Sequence, residues 1–262
     1  MVLISIVITV RNEADSISEL LDSLLAQEKP FEIIIVDANS NDGTPEIVKR
    51  YAEKYGEIKL YIHGGSRGEG RNFGVKKSKG DVIAFTDGGC KADKNWLTEL
   101  RKGIKEGYGV VAGETINKGP FREIKRVSVK YKDCEDITYP SCNLAYKKEL
   151  FDRIGGFDTR FITAEDIDLN LRAVDIGAKI LYNPNAIIYR RTAQNFVSLI
   201  KQSFWYGYGR KQLTLKHGRL WRSYSPQKMF QTQLSSSGIL RLGFGLMGYL
   251  TCKVTRGGFR KG

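Results

Sequence analysis

The sequence predicts an α/β fold in which helices flank a mainly parallel central sheet, and three observations lead to this prediction. Short apolar runs rich in β-branched residues recur at 3–10, 31–36 and 82–86. Amphipathic helical patterns separate these runs, which is typical of βαβ units. The chain has 262 residues, 41% of them hydrophobic and 27% charged, so it is an ordinary globular sequence with enough length for a core.

The first half of the chain alternates strand and helix. The strand at 3–10 precedes a helix with one apolar face, formed by Ile17, Leu20, Leu21, Leu24 and Leu25. After the strand at 31–36, Thr44-Pro45 places a capping hydroxyl before a proline at the first helical position. Further strands are predicted at 58–62, 82–86 and 110–112.

The second half is less regular. Hydrophobic periodicity weakens at 115–140, so this segment is predicted to be a variable connection. A helix is predicted near 147–154 and another after Thr163, and two short strands at 179–182 and 186–190 follow. A long amphipathic pattern begins at about residue 195.

Positive charge is concentrated near the C-terminus. Residues 176–262 contain 15 Lys or Arg and no Asp or Glu, which leaves 27 basic and 29 acidic residues in the first 175. We therefore expect a domain at 1–192 and a basic, mostly helical extension at 193–262. Such an extension predicts a polyanionic partner: nucleic acid, an anionic membrane or a phosphorylated substrate. The alternative is a solvated basic face that only aids solubility.

Cysteine usage and apolar segments predict a cytoplasmic protein without a membrane span. Cys90, Cys134, Cys142 and Cys252 match no metal-binding spacing and form no disulfide framework. The apolar N-terminus lacks a basic flank and is interpreted as a first strand, not a signal peptide. Between Arg241 and Lys253 lie only 11 residues, whereas a spanning helix needs about 20 apolar residues.

Acidic side chains follow several predicted strands. Asp87 ends the run at 82–86 and is followed by Gly88-Gly89, an arrangement suited to a phosphate-bearing or metal-bound ligand at the sheet edge. Asp37 opens a polar turn and could accept hydrogen bonds from a nucleobase or ribose, although turn chemistry alone is the alternative. Glu13 follows the first strand, where its alternative role is to interact with a helix dipole.

Two further segments are candidates for binding or catalysis. The glycine-rich stretch 64–74 resembles a phosphate cradle but has no recognised glycine spacing, and Arg71 at the start of a helix is its best functional candidate. Glu165, Asp166 and Asp168 cluster at a helix start. One of them could be a general base, and a capping box with Thr163 is the alternative.

Together these motifs resemble the family 2 glycosyltransferases over about residues 3–190. No motif is specific alone, but seven occur in the family's order. They are Val10-Arg-Asn-Glu13, Val36-Asp-x-x-Ser40-x-Asp-Gly-Thr44, Arg71-Asn-x-Gly74, Phe85-Thr-Asp87, Asn143-Leu-Ala-Tyr146, Gly155-Gly-Phe-Asp158 and Glu165-Asp-x-Asp-Leu-x-x-Arg172.

The resemblance implies a GT-A fold and an inverting transfer, in which an acceptor hydroxyl displaces a nucleoside diphosphate from a sugar. Asp166, with Glu165 beside it, would take the acceptor proton. Asp87 would be the first acid of the family's Asp-x-Asp motif, near the diphosphate and its metal ion. The donor would contact Val10, Arg11, Glu13, Asp37, Ser40, Arg71, Asp87, Gly88 and Arg190.

The chain departs from the family at two expected metal positions. Gly89 replaces the second acid of Asp-x-Asp, and Arg190 stands near where many relatives have a histidine. One carboxylate is a poor site for Mg²⁺ or Mn²⁺, although these ions accept few protein ligands when phosphates supply the rest. Two alternatives follow: a divalent cation at Asp87, or arginine charge from Arg190 in its place.

The resemblance also suggests an acceptor. Processive synthases of the family carry Gln-x-x-Arg-Trp, whereas Gln202-Ser-Phe-Trp-Tyr206 has no arginine there, so we expect addition of a single sugar. The expected acceptor is a lipid-linked saccharide in envelope or glycoprotein glycan assembly. One alternative is a polyprenyl-phosphate sugar synthase, and another is a catalytically silent protein that binds sugar nucleotides or nucleic acid.

Aromatic and basic residues interleave in the C-terminal region, where they suit an anionic surface. We favour the inner face of the cell membrane, to which the protein would bind peripherally, over nucleic acid. The alternative is a helix packed on the protein with its lysines in water. The residues concerned are Tyr206, Tyr208, Arg210, Lys211, Lys216, Arg219, Trp221 and Arg222.

Overall fold

The computed structural model describes residues 2–121, 128–218 and 236–255, in two compact units. Arg219, Trp221 and Arg222 of the predicted basic surface lie outside these residues. Within the described residues, the first unit draws on 1–116, 139–157 and 172–190, and the second on 117–138, 158–171 and 191–262.

The described residues form eight strands and eight α-helices. The strands are β1 (Ile4–Val10), β2 (Phe31–Asp37), β3 (Ile58–Ile62), β4 (Val82–Asp87), β5 (Cys90–Ala92), β6 (Val110–Lys118), β7 (Leu144–Lys147) and β8 (Ile180–Arg191). The helices are α1 (Ile17–Leu25), α2 (Thr44–Lys54), α3 (Arg67–Lys77), α4 (Trp96–Lys105), α5 (Lys148–Arg153), α6 (Glu165–Asp175), α7 (Phe196–His217) and α8 (Ser236–Thr255).

The strands form one mixed sheet in the order β3-β2-β1-β4-β7-β6-β8-β5. The parallel arrangement predicted from the sequence is confirmed for β3, β2, β1 and β4. The description of the whole sheet as mainly parallel needs correction, because β7 pairs antiparallel with β4 and β6, and β5 pairs antiparallel with β8. The parallel strands are the ones joined by regular helices, which is why their pattern is the clearest in the sequence.

The core of the first unit forms around β1 and β2. Every residue of β2 is buried, and β1 is nearly so, as expected for strands covered on both faces. The predicted apolar face of α1 is also buried, with Ile17, Leu20, Leu21 and Leu24 inside and Leu25 at the margin.

The prediction of two short strands at 179–182 and 186–190 is wrong, because the structure has one strand there. A single strand, β8, runs through Asn183-Pro184-Asn185, a tripeptide that favours a turn. The Asn183 side chain accepts a hydrogen bond from the Asn185 amide at 3.0 Å, so this amide is satisfied without a neighbouring strand.

A buried asparagine connects three strands and a helix of the first unit. The amide nitrogen of Asn143 donates to the carbonyl oxygens of Glu114 (2.7 Å) and Ala186 (2.8 Å). Its amide oxygen accepts a hydrogen bond from Trp96 Nε1 at 2.8 Å. Two of these hydrogen bonds are buried and the one to Glu114 is part-buried, so Asn143 fixes how α4, β6 and β8 meet next to β7.

In the second unit, α7 and α8 pack with backbone in direct contact. A Cβ added to Gly207 would lie 1.8 Å from the Gly245 carbonyl oxygen, and one added to Gly248 would lie 1.9 Å from the Phe204 carbonyl oxygen. Glycine is therefore required at both crossings. Neither these helices nor any other helix of the described segments is long and apolar enough to cross a membrane.

Helix α3 lies unusually close to the sheet, because glycines face it. A Cβ on Gly70 would lie 2.8 Å from Thr9 Cγ2, and one on Gly74 would lie 2.5 Å from Val7 Cγ1. Both contacts are with β1. The approach brings Arg71, which follows the first turn of α3, under the carboxyl end of the sheet.

We expect Gly74→Ala to lower the free energy of unfolding by about 1–3 kcal/mol, because overpacking displaces α3 from β1. Gly56→Ala is the matched control, since nothing lies within 4 Å of a Cβ there, and its effect should stay within about 0.5–1 kcal/mol. Urea unfolding monitored by tryptophan fluorescence measures both variants. Equal midpoints for the two would show that the close approach is not a packing constraint.

Candidate active site

The loops after β1 and β2 are joined to each other at the carboxyl edge of the sheet. Asn12 and Asn39, with φ of 56° and 58°, turn the chain at each strand end. Three consecutive amides of the first loop donate to side chains of the second. The bonds are Asn12 to Ser40 Oγ (2.8 Å), Glu13 to Thr44 Oγ1 (2.9 Å) and Ala14 to Asp42 Oδ2 (3.0 Å).

Asp37 is buried between these loops and has unused hydrogen-bonding capacity. It lies opposite Val10 in the β1–β2 register, and its Oδ1 accepts a hydrogen bond from the Ser40 amide at 2.7 Å. Its Oδ2 is buried and has no hydrogen-bond partner within the described part of the chain. Because an unsatisfied buried acceptor is costly, this oxygen is suited to a ligand that brings an N–H or O–H group.

Asp87 ends β4 in an ion pair with Arg71. Arg71 Nη2 lies 2.8 Å from Asp87 Oδ1, and the arginine side chain is 1% exposed whereas that of Asp87 is 32% exposed. The guanidinium also lies 5.3 Å from the centre of the Phe157 ring. Burial opposes ionisation of Asp87, but Arg71, Arg67 and Arg190 outweigh it and hold the pKa of this carboxyl below its usual range.

Gly88 allows Glu13 to lie against the end of β4. A Cβ on Gly88 would lie 2.7 Å from Glu13 Cγ and 3.1 Å from Val10 Cγ1. Burial raises the pKa of the Glu13 carboxyl and the charge of Asp87 adds to this, although the Ser16 hydroxyl, 2.8 Å away, acts in the opposite direction. Two carboxyl groups and several arginines therefore share one edge of the sheet.

Arg190 reaches the same edge from β8, where it lies opposite Cys90 in the β5–β8 register. Its Nη1 is 3.7 Å from Cys142 Sγ. Cys90 and Cys142 are both buried, and the contact with Cys90, with Arg190 nearby, lowers the pKa of the Cys142 thiol. Sequence reasoning missed these two cysteines, because it tested them only against metal and disulfide spacings; the position of Cys90 directly after Gly89 was the available signal.

The residues at this edge do not fit a divalent cation well. Asp87 is already paired with Arg71, position 89 is glycine, and Arg67, Arg71 and Arg190 surround the acid. Across the described residues, no three His, Cys, Asp or Glu side chains group as metal ligands. The one carboxylate expected to bind Mg²⁺ or Mn²⁺ is thus already engaged by arginine.

The acids at the start of α6, in the second unit, have different environments. Ala164, with φ of 66°, turns the chain into the helix; Glu165 is buried and Asp166 is half-buried. Asp168 is fully buried and binds Lys216 Nζ (2.6 Å) and His217 Nε2 (2.7 Å) at the end of α7. These contacts give Asp168 a structural role. Asp166 is the most accessible of the three acids.

The predicted residues thus fall into two groups. The first unit brings together, at the carboxyl ends of β1, β2, β4 and β8, the residues Val10, Arg11, Glu13, Asp37, Ser40, Arg71, Asp87, Gly88 and Arg190. Arg11 lies in the first loop and is exposed. Glu165 and Asp166 belong to the second unit.

Comparison with known proteins identifies the family of this chain. Residues 5–162 match the sequence model of "Glycosyl transferase family 2". Glycosyltransferase AglE of Haloferax volcanii is 26% identical over 224 residues, covering 80% of this chain and 73% of AglE. The glucosyl-dolichyl phosphate glucuronosyltransferase of the same organism is 25% identical over 234 residues, covering 77% of this chain and 73% of that protein.

A solved structure shows the same fold. The mannosyltransferase PcManGT from Pyrobaculum calidifontis, in complex with GDP-Man and Mn²⁺, superposes with a TM-score of 0.67 at 18% identity, over 96% of this chain and 75% of that one. The family match covers more than half of the chain and includes the edge built by β1, β2 and β4. The chain therefore belongs to the family 2 glycosyltransferases and has their GT-A fold.

Proposed function

We propose that this glycosyltransferase moves a single sugar from a nucleotide-diphosphate sugar to an acceptor hydroxyl, with inversion at the anomeric carbon. The observation that carries the proposal is the sheet edge where Asp37 keeps an unused buried acceptor and Asp87 lies among arginines. The first suits the nucleoside and the second suits the diphosphate. PcManGT, which shares the fold, was solved with a nucleotide sugar.

We assign the general base to Asp166, with Glu165 as its neighbour. An inverting transfer needs one carboxylate that takes the acceptor proton as the new bond forms. Asp166 occupies the acid position of the family motif and is half-buried, whereas Asp168 is engaged by Lys216 and His217. The acceptor oxygen attacks the sugar, its proton passes to Asp166, and the diphosphate leaves with the electron pair of the broken bond.

We propose a lipid-linked glycan as the acceptor, in envelope or glycoprotein glycan assembly. A relative is by its name a glucosyl-dolichyl phosphate glucuronosyltransferase. The region 176–262 has 15 basic and no acidic residues. A protein at the cytoplasmic face of the cell membrane would meet such an acceptor there, and we propose 193–262 as its contact region.

Helix α8 has an exposed apolar stripe, which supports this membrane proposal. The residues of the stripe are 49% to 83% exposed and recur at helical spacing along one face of the helix. Lys253 is exposed beside them, so positive charge accompanies the apolar surface, as in helices that lie in an anionic lipid interface. The stripe consists of Ile239, Leu246, Met247, Leu250 and Val254.

Asp37→Asn should weaken nucleotide binding about tenfold or more, because the amide oxygen stays with the Ser40 N–H and the nitrogen in place of Oδ2 cannot accept the ligand's hydrogen bond. Thermal shifts with UDP, GDP and dTDP, and with their sugars, measure the change and identify the base. Asp81→Asn is the control, since Asp81 is exposed before the amino end of β4. If no nucleotide raises the melting temperature of the unaltered protein, the proposed function is wrong.

Asp166→Asn should lower turnover about 10²- to 10⁴-fold with little effect on donor binding, because only the base is lost. Asp175→Asn, an exposed acid of the same helix, should leave turnover unchanged. Product formation with a lipid-linked saccharide acceptor measures both. A modest loss in Asp166→Asn would favour the runner-up function, transfer to a polyprenyl phosphate, whose anionic acceptor needs no base.

The double variant Leu246→Glu/Leu250→Glu should lose most binding to vesicles of phosphatidylglycerol and phosphatidylcholine, because buried carboxylates are costly in lipid. Ile62→Glu is the control, since Ile62 is exposed at the end of β3 in the first unit. Cosedimentation measures binding, which raised salt should weaken. If the double variant instead converts a dimer into a monomer by light scattering, α8 contacts a second copy and the membrane proposal fails.

A further inference from the structure

We infer that this enzyme neutralises the departing diphosphate with arginine, chiefly Arg190, where its relatives with a complete Asp-x-Asp motif would use a divalent cation. The inference rests on the proposed function, because it assumes a nucleotide-diphosphate donor at the carboxyl edge of the sheet. Arg190 of β8 then binds the diphosphate of the donor, and donor binding requires no metal ion.

The charges at the edge already favour an anion. Three guanidinium groups, of Arg71, Arg67 and Arg190, act on Asp87 and outweigh the effect of its burial. Positive charge therefore surrounds this carboxylate before any ligand arrives. A divalent cation entering here would meet repulsion from the arginines, whereas a diphosphate would be attracted.

Asp87 is better described as the partner of an arginine than as a metal ligand. Its Oδ1 lies 2.8 Å from Arg71 Nη2, and that arginine is 1% exposed. Removing Asp87 from the pair would leave a buried guanidinium uncompensated, which is strongly unfavourable. Arg71 is therefore a positioning residue, which holds Asp87 and adds to the positive field without itself being accessible.

Arg190 is the arginine placed to contact phosphate. Its side chain is half-buried, and it extends from β8 opposite Cys90, three residues after Asp87. The thiol of Cys142, 3.7 Å from Nη1, supports one side of the guanidinium. A planar guanidinium binds two phosphate oxygens at once. Arg190 can therefore stabilise the negative charge that the diphosphate gains when the sugar–oxygen bond breaks and its electron pair passes to the diphosphate.

Isothermal titration with inorganic pyrophosphate, and in parallel with UDP, GDP and dTDP, tests the inference without requiring turnover. We expect the unaltered enzyme to bind pyrophosphate and one nucleotide in excess EDTA, and Mn²⁺ to change these affinities by no more than about twofold. Arg190→Gln should weaken both by about 10- to 100-fold, the loss expected for a hydrogen-bonded charge pair. Arg190→Lys should recover part of the loss, because it restores the charge but not the planar donors.

Arg191→Gln is the matched control, since Arg191 is the next residue of β8, is exposed and points to the opposite face. Its pyrophosphate affinity should equal that of the unaltered enzyme. Binding that requires Mn²⁺, or equal losses for Arg190→Gln and Arg191→Gln, would overturn the inference while leaving the proposed function intact. Absence of binding by all three nucleotides, with and without Mn²⁺, would instead overturn the proposed function.

Discussion

The ion pair between Arg71 and Asp87 is the interaction on which the site of the first unit depends. Arg71 is buried under the sheet edge, and a buried guanidinium is tolerated only when it is paired and hydrogen-bonded. The pair forms because Gly70 and Gly74 let α3 approach β1 so closely. The packing of α3 against β1 thus determines where Arg71 lies, and so determines which charge faces Asp87 at the carboxyl end of β4.

The Arg71–Asp87 pair offers a physical explanation for glycine at position 89, where the Asp-x-Asp motif has its second acid. Arg71 is bound to Asp87 and Arg190 approaches the same edge from β8, so arginine charge already acts on the one carboxylate at the end of β4. The absence of a side chain at Gly88 also matters, because a Cβ there would meet Glu13 and Val10. The edge is therefore crowded and carries several arginines, which suits the diphosphate proposed as its ligand.

In the second unit, a buried charged residue likewise fixes the helix that carries the proposed base, Asp166. Asp168 is fully buried and accepts contacts from Lys216 and His217, and Lys216 Nζ also lies 2.7 Å from Asp158 Oδ2. These four charged or titratable groups link the end of α7 to the first turns of α6 and to the segment before it. Asp166 lies two residues from Asp168 and is half-buried.

The parallel half of the fold is predictable from local patterns, since β1, β2 and β4 carry continuous apolar runs and α1 shows a single apolar face. The acids that follow β1, β2 and β4 are predictable as well, because parallel strands end at one edge. Local patterns could not reveal the antiparallel half, the continuity of β8 through Pro184, or the cysteines beside Arg190. The pairing of Asp87 with Arg71, and that of Asp168 with residues of α7, became visible in the folded structure alone. The physical reason is that the energy of a buried charge depends on the partners that distant segments bring to it, and spacing along the chain does not record them.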